Sequence, residues 1–240
     1  MAEINLLDSY FSPKRRSIED RGRMRLAGGK RLAAAGGLDN TTILLEHKML
    51  SIARQFGKEY FDGDRLYGYG GYYYDPRFWT ETVKKIHAYY QLPQNASVLD
   101  VGCAKGFMLY DFKRLFPDLG VSGIDISQYA YDNALPGIKP FIRIANAREL
   151  PYLDNSFDLV ISINTIDHLP LDECVQALRE IQRVSRKNAF ISVHAWRNEE
   201  EREALLKWNL TALTYMHTDD WKKLFSEVGY TGDYWWFIAK

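Results

Sequence analysis

From residue 97 onward, apolar and polar positions fall into short runs that alternate between two periods. Ser97–Val101, Val121–Ile126, Phe141–Ile144, Phe157–Ile163 and Ala189–Ala195 are compact apolar stretches of strand length. Between them, apolar residues recur at helical spacing over Phe107–Phe116 (closed by Pro117), over a short Ser127–Ala134 segment, and from Leu171 to about Arg186. This alternation predicts an α/β fold: a Rossmann-like, doubly wound, mostly parallel sheet with helices on both faces. Ligands of such sheets sit beyond the C-terminal strand ends, where the strand order reverses. Downstream, Glu199–Leu210 reads as a helix. His217-Thr218-Asp219 reads as the cap of another helix running to Val228, with Gly229 after it, and Tyr234–Ala239 as a last strand.

The first 94 residues follow other patterns. A basic stretch carrying Lys14, Arg15, Arg16, Arg21, Arg23, Arg25, Lys30 and Arg31 makes residues 1–40 a partly flexible arm. Residues 41–94 carry the signals of two helices. The first is capped at Asn40-Thr41-Thr42, has Leu45, Met49, Ile52 and Phe56 on one face, and is stopped by Gly57. The second starts near Pro76 and presents Phe78 or Trp79, Val83, Ile86 and Tyr90. Between them lies Tyr67-Gly68-Tyr69-Gly70-Gly71-Tyr72-Tyr73-Tyr74-Asp75. Residues 95–240 form the α/β domain, with the stretch of about 196–217 inserted before the last helix.

Composition narrows the class. In 240 residues, 31 Lys and Arg balance 31 Asp and Glu, so the chain is not a polycation and nucleic acid is a disfavoured partner. The two cysteines, Cys103 and Cys174, offer neither a disulfide framework nor a zinc set, and no metal is expected. With no apolar run of membrane length, a cytoplasmic protein with no membrane partner is expected. The 16 Tyr and 6 Trp exceed what a core of this size calls for, and they suggest a pocket wall.

Chemistry concentrates after the first strand of the α/β pattern, in Val98-Leu99-Asp100-Val101-Gly102-Cys103-Ala104-Lys105-Gly106. A strand ends, two glycines turn the chain, and the amides at a helix start are left to meet a ligand. The dinucleotide fingerprint fails here, because Ala104 and Phe107 stand where glycines are needed. The phosphate-loop motif fails as well, because Lys105 precedes Gly106. About 20 residues further, Asp125 in Gly123-Ile124-Asp125-Ile126-Ser127 has the spacing of an acid that accepts ribose hydroxyls. A third segment, Asn146-Ala147-Arg148-Glu149-Leu150-Pro151, precedes Asp154-Asn155-Ser156-Phe157-Asp158-Leu159-Val160.

These three segments, in this order, resemble the class I S-adenosylmethionine-dependent methyltransferases over roughly residues 95–195. The resemblance implies S-adenosyl-L-methionine as cofactor, with S-adenosyl-L-homocysteine as its product. It implies that Gly102, Cys103, Ala104 and Gly106 line the methionine and ribose, and that Asp100 is structural or reaches the methionine end through water. Asp125 would hold the ribose, Ile126 would pack on adenine, and Asn146 and Ala147 would face its edge. Asn164 would approach the methionine amino group. Two departures stand out: Asn146 where the family usually has Asp, and Ala104 in place of a common glycine. In similar enzymes an N-terminal segment folds over the cofactor. The Tyr/Gly stretch is therefore read as a glycine-hinged lid whose tyrosine faces, Tyr72 among them, favour a sulfonium, with Arg77 pairing with the cofactor carboxylate. His168, His194 and Asp167 are the candidate bases. Trp196, Arg197, Trp208, Asn209, Thr211, Tyr215 and His217 would build the acceptor site. The expected reaction is methyl transfer to an O or N nucleophile of a polar small molecule: a sugar, a nucleotide-linked or a peptide-like metabolite. Homodimerisation is left open. An RNA methyltransferase and a non-catalytic cofactor-binding partner subunit are the alternatives.

Overall fold

The computed structural model describes residues 1–8, 10 and 48–239. The basic stretch 14–31, the predicted cap at residue 40 and Leu45 lie outside the described residues. Helical residues 48–53 lead to Phe56, which takes a left-handed φ of 48°. Gly57 is not the stop that the spacing predicted. Its φ is −92°, and it begins the short helix α1 (Lys58–Phe61).

Helix α2 (Pro76–Tyr89) starts on an Asp75 cap whose side chain accepts from the Arg77 amide, with proline in the first turn, and buries Trp79, Val83 and Ile86. The α/β unit follows as β1 (Ser97–Val101), α3 (Phe107–Leu115), β2 (Gly120–Asp125), α4 (Gln128–Asp132), β3 (Ile142–Ile144), β4 (Phe157–Ile163), α5 (Leu171–Val184) and β5 (Ser185–Trp196). Then come α6 (Glu199–Trp208), β6 (Met216–His217), α7 (Thr218–Val228) and β7 (Asp233–Phe237). Strand order is β3-β2-β1-β4-β5. Both β7 and the two-residue β6 pair with β5, and every strand pairing among the described residues is parallel.

Side chains alternate across the sheet as the pleat requires. Val98, Leu159 and Ile161 join the layer formed by α2 and α3, where Val83, Ile86, Leu109 and Phe112 are fully buried. Leu99, Val101 and Val160 join the opposite layer, with Leu178 and Ile181 of α5 and Trp221 and Phe225 of α7. The predicted end of α5 shifts from Arg186 to Val184, because Ser185 pairs with Phe157 across a register irregularity and β5 begins four residues early. Residues 2–4 add to the outer edge of β7 through Ile4 N–H to the Tyr234 carbonyl (3.0 Å) and Tyr234 N–H to the Ala2 carbonyl (3.0 Å). Leu6, Leu7 and Tyr10 are buried, so the start of the predicted arm belongs to the folded unit. No helix among the described residues is long and apolar enough to cross a membrane.

Candidate functional site

Strand order reverses between β1 and β4, and their C-terminal ends open one cleft of about 1020 Å³, part of it open to solvent. The turn after β1 forms its floor. Gly102 has φ 86° and its amide donates to the Ile124 carbonyl at 2.8 Å. A Cβ there would lie 2.1 Å from Thr165 Oγ1 and 2.2 Å from its Cγ2. Only glycine lets the strand end turn against Thr165. Ala104 also takes a left-handed φ, 48°. For a residue with a Cβ this costs about 1–2 kcal/mol, part of which glycine's larger unfolded-state entropy returns. Ala104→Gly is expected to raise the melting temperature by about 1–3 °C in a thermal melt.

Asp125, at the end of β2, is tied into that turn. Its Oδ2 accepts the Ala104 amide at 2.7 Å and its Oδ1 accepts the Ser127 amide at 2.8 Å. A carboxylate offers about four acceptor positions, which the amides of this turn do not fill. Burial pushes the Asp125 carboxyl upward, opposed by the bonds from Ser127, Ala104 and Ile126. Burial, with Asp125 nearby, drives Asp100 well above the usual carboxylate range. These are the only acidic side chains among the described lining residues, and neither lysine nor arginine joins them. A cationic ligand in the cleft would favour ionisation of both carboxyls. Beside Asp125, Ile126 is 56% exposed, an apolar face ready for a flat ring.

Asn146 and Ala147 line the same end. The Asn146 Oδ1 that would meet an adenine amino group already accepts the Arg148 amide at 3.0 Å, with a second lone pair remaining. Asn164, φ 48°, has its amide and its side-chain oxygen engaged by Ser192. Cys103 is buried with its thiol pushed well up by burial, and is no nucleophile.

Tyr72 lines the cleft as expected, but Arg77 does not. The Arg77 side chain is 77% exposed and forks onto Asp75 through Nε and Nη2, so the predicted carboxylate contact is corrected. The wall has further aromatics: Tyr10 from the predicted arm, Phe56 from the predicted first helix, and Tyr60 and Phe61, which the spacing assigns to no element. They have no short motif to betray them. Tyr10 reaches the cleft only because residues 2–4 dock on β7, and it packs on Trp79 at 4.3 Å.

The three base candidates separate. His168 lines the cleft and stacks on Phe56 at 5.7 Å. His194 is 2% exposed and Asp167 fully buried, and neither lines the cleft, which corrects both as direct bases. Instead His194 Nδ1 bonds Asp167 Oδ2, which also accepts the His194 amide at 2.8 Å. Burial opposes ionisation of Asp167, but His194 outweighs it and holds the carboxyl below its ordinary value. The trio brings ligand atoms within 4.8 Å of one another, a spacing a metal ion could bridge, yet two of those groups are bonded to each other. The 196–217 segment does not reach the cleft, so its residues are corrected as an acceptor wall. Trp208 packs on His194 and Phe237, Trp196 on Tyr215, and Asn209 closes a turn onto Ala212.

Residues 99–193 match the family described as Methyltransferase domain. A 2-methyl-6-phytyl-1,4-hydroquinone methyltransferase of Synechocystis is 30% identical over 179 residues, covering 68% of this chain and 54% of that protein. A tRNA (carboxymethyluridine(34)-5-O)-methyltransferase of Arabidopsis thaliana is 31% identical over 146 residues, covering 57% of this chain and 33% of that protein. The chain thus spans about half or less of these relatives' lengths. A Haloferax volcanii complex with the Trm112 methyltransferase activator shares the fold. The match has TM-score 0.51 and 20% identity, and covers 77% of this chain and 75% of that one.

Proposed function

The chain carries a class I S-adenosylmethionine-dependent methyltransferase domain, and we propose that its cleft catalyses methyl transfer to an oxygen or nitrogen of a small acceptor. The observation that carries this reading is the joining of Asp125 to the glycine turn through the Ala104 amide, at 2.7 Å, with exposed Ile126 beside it. The residues fit the cofactor: a tight turn that needs glycine at 102, an acid with spare acceptor capacity, and two buried carboxyls whose ionisation a cationic sulfur would favour. When bound, the cofactor supplies a methyl group on a positively charged sulfur. The protein's part is to orient the acceptor, exclude water and receive a proton. Asp125 would hold the ribose, Ile126 the adenine face, and Asn164 and Asp100 the methionine end.

For the acceptor, the aromatic surround favours a molecule with an aromatic or apolar body over a sugar-like one. Phe56, Tyr60 and Trp79 would hold that body. His168 would take the proton. A flipped RNA base would also suit the aromatics, and one relative is a tRNA methyltransferase. No lysine or arginine among the described lining residues stands ready for its phosphates.

Calorimetric titration with S-adenosylhomocysteine, then methyl-donor consumption across phenol, amine and RNA acceptors, tests the proposal. Saturable binding with turnover on a small acceptor is expected. Absence of binding would sink it, and binding without turnover on any acceptor would favour a partner subunit.

A further inference from the structure

We propose that Lys105 and Asp62 are positioning residues that lock Tyr72 over the cofactor turn. The proposal rests on the methyltransferase reading of the cleft. Lys105 belongs to that turn, between Ala104, whose amide holds Asp125, and Gly106. A lysine seldom hides its charge, yet Lys105 is only 6% exposed. Its Nζ donates to Asp62 Oδ2 at 2.6 Å and to the Tyr72 carbonyl at 2.8 Å.

Asp62 completes a closed ring. Its Oδ1 accepts the Tyr72 amide at 2.9 Å, and its Oδ2 also accepts the Tyr129 hydroxyl at 2.7 Å. Both backbone polar groups of Tyr72 therefore end on this one ion pair. Burial works against the Asp62 charge, but Lys105, the Tyr72 amide and Tyr129 together hold its carboxyl below the ordinary value. The Tyr72 ring is thereby fixed in the cleft wall, stacked on Phe107 at 4.9 Å and tilted on Tyr69 at 4.5 Å.

A buried ion pair is weak evidence for stability, since an apolar pair of similar volume often serves as well. What an apolar pair could not do is bond both the N–H and the C=O of one residue. The pair spans 43 residues of sequence and joins the floor of the cleft to its aromatic cover. Any displacement of the turn by a ligand passes through Lys105 to Tyr72, so ligand entry and exit would act on this ring of bonds.

The test compares the full-length parent with Lys105→Met, Asp62→Asn and the double variant. Three quantities are read: S-adenosylhomocysteine affinity by calorimetry, its dissociation rate by stopped flow, and ligand-free melting temperature. Each single variant is expected to bind about tenfold more weakly, mostly through faster dissociation, because a small misplacement of a positioning group has effects of this order or larger. The double variant is expected to bind no more weakly than either single variant, since the two act as one unit. A pair that only stabilised the fold would move melting and leave the dissociation rate alone. Should Lys105→Met fail to fold, Asp62→Asn carries the same comparison. A parent that binds no S-adenosylhomocysteine overturns the reading of the cleft and the proposal with it. A parent that binds, with folded variants matching its affinity and dissociation rate, overturns the lock alone.

Discussion

Asp125→Ala is expected to weaken S-adenosylhomocysteine binding by about 10²–10⁴-fold. The carboxylate already accepts the Ala104 and Ser127 amides, and its remaining lone pairs are the ones that two ribose hydroxyls would use. Hydrogen bonds to a charged group contribute about 1.5–3 kcal/mol each. Two of them make about 3–6 kcal/mol, and each 1.4 kcal/mol is a factor of about ten in affinity. The substitution also strands two amides, one of them in the turn itself, which adds to the loss. Asp125→Asn separates the causes. It keeps the shape and one acceptor oxygen, and should fall between parent and alanine. Calorimetry on the three proteins measures this. An Asp125→Ala protein that binds within about threefold of the parent would remove the ribose contact and the main support for the site.

How far the sequence carried the reading depended on the range of the interactions. The turn at Gly102, the acid at 125 and the face at Ile126 were legible because each is set by its own neighbours: a strand end, a glycine, a spacing. The helices over Pro76–Tyr89 and Leu171–Val184 were legible from one apolar stripe each. Arg77 was misplaced for a local reason that spacing does not show, since Asp75 two residues away captures both the helix start and the guanidinium. Phe56 has the spacing of an ordinary helix core, and the spacing assigns Tyr60 and Phe61 to no element. The left-handed residue at 56, the bond from Ser127 Oγ to its carbonyl, 2.5 Å, and the bonds from Lys105 and Tyr129 to Asp62 bring that segment over the cleft. Tyr10 depends on a strand pairing with Tyr234, more than two hundred residues away, and nothing in its own neighbourhood announces it. In the sequence, Lys105 stands out as the residue that spoils a phosphate loop. Its partner Asp62 lies in a stretch with no motif, so the pair became visible only in three dimensions. The 196–217 segment shows the opposite error. Its Trp, Asn and His residues have the composition of a polar site, but Trp208 packs α6 to the end of β5, Asn209 closes a turn and His217 caps α7.

His168→Ala is expected to lower kcat by about 10²–10⁴-fold, the usual range for removing a positioned base, while S-adenosylhomocysteine affinity changes far less. Of the three candidates, only the His168 imidazole faces the cleft, and its ring makes no hydrogen bond among the described residues. Burial pushes it down to about 4, although the Asp167 carboxylate pulls upward. The imidazole is therefore neutral at pH 7, with a lone pair that accepts a proton less readily than that of an ordinary histidine. The acid limb of kcat/KM should then lie near pH 4 instead of near 6.5, the ordinary histidine value. The same shift fixes the sign of a stability effect. Between pH 6.5 and about 4 the unfolded chain takes up a proton at this position and the folded chain does not. Stability arising from His168 is thus full above pH 6.5 and falls as the pH drops through that window. His168→Gln keeps a polar side chain but cannot titrate, so it should lose both the activity and that part of the acid sensitivity, read as melting temperature against pH. A kcat within about threefold of the parent would show that the acceptor reaches the cleft already deprotonated, or gives its proton to water. His168 would then be a wall residue stacked on Phe56, and the reaction would depend on orientation alone.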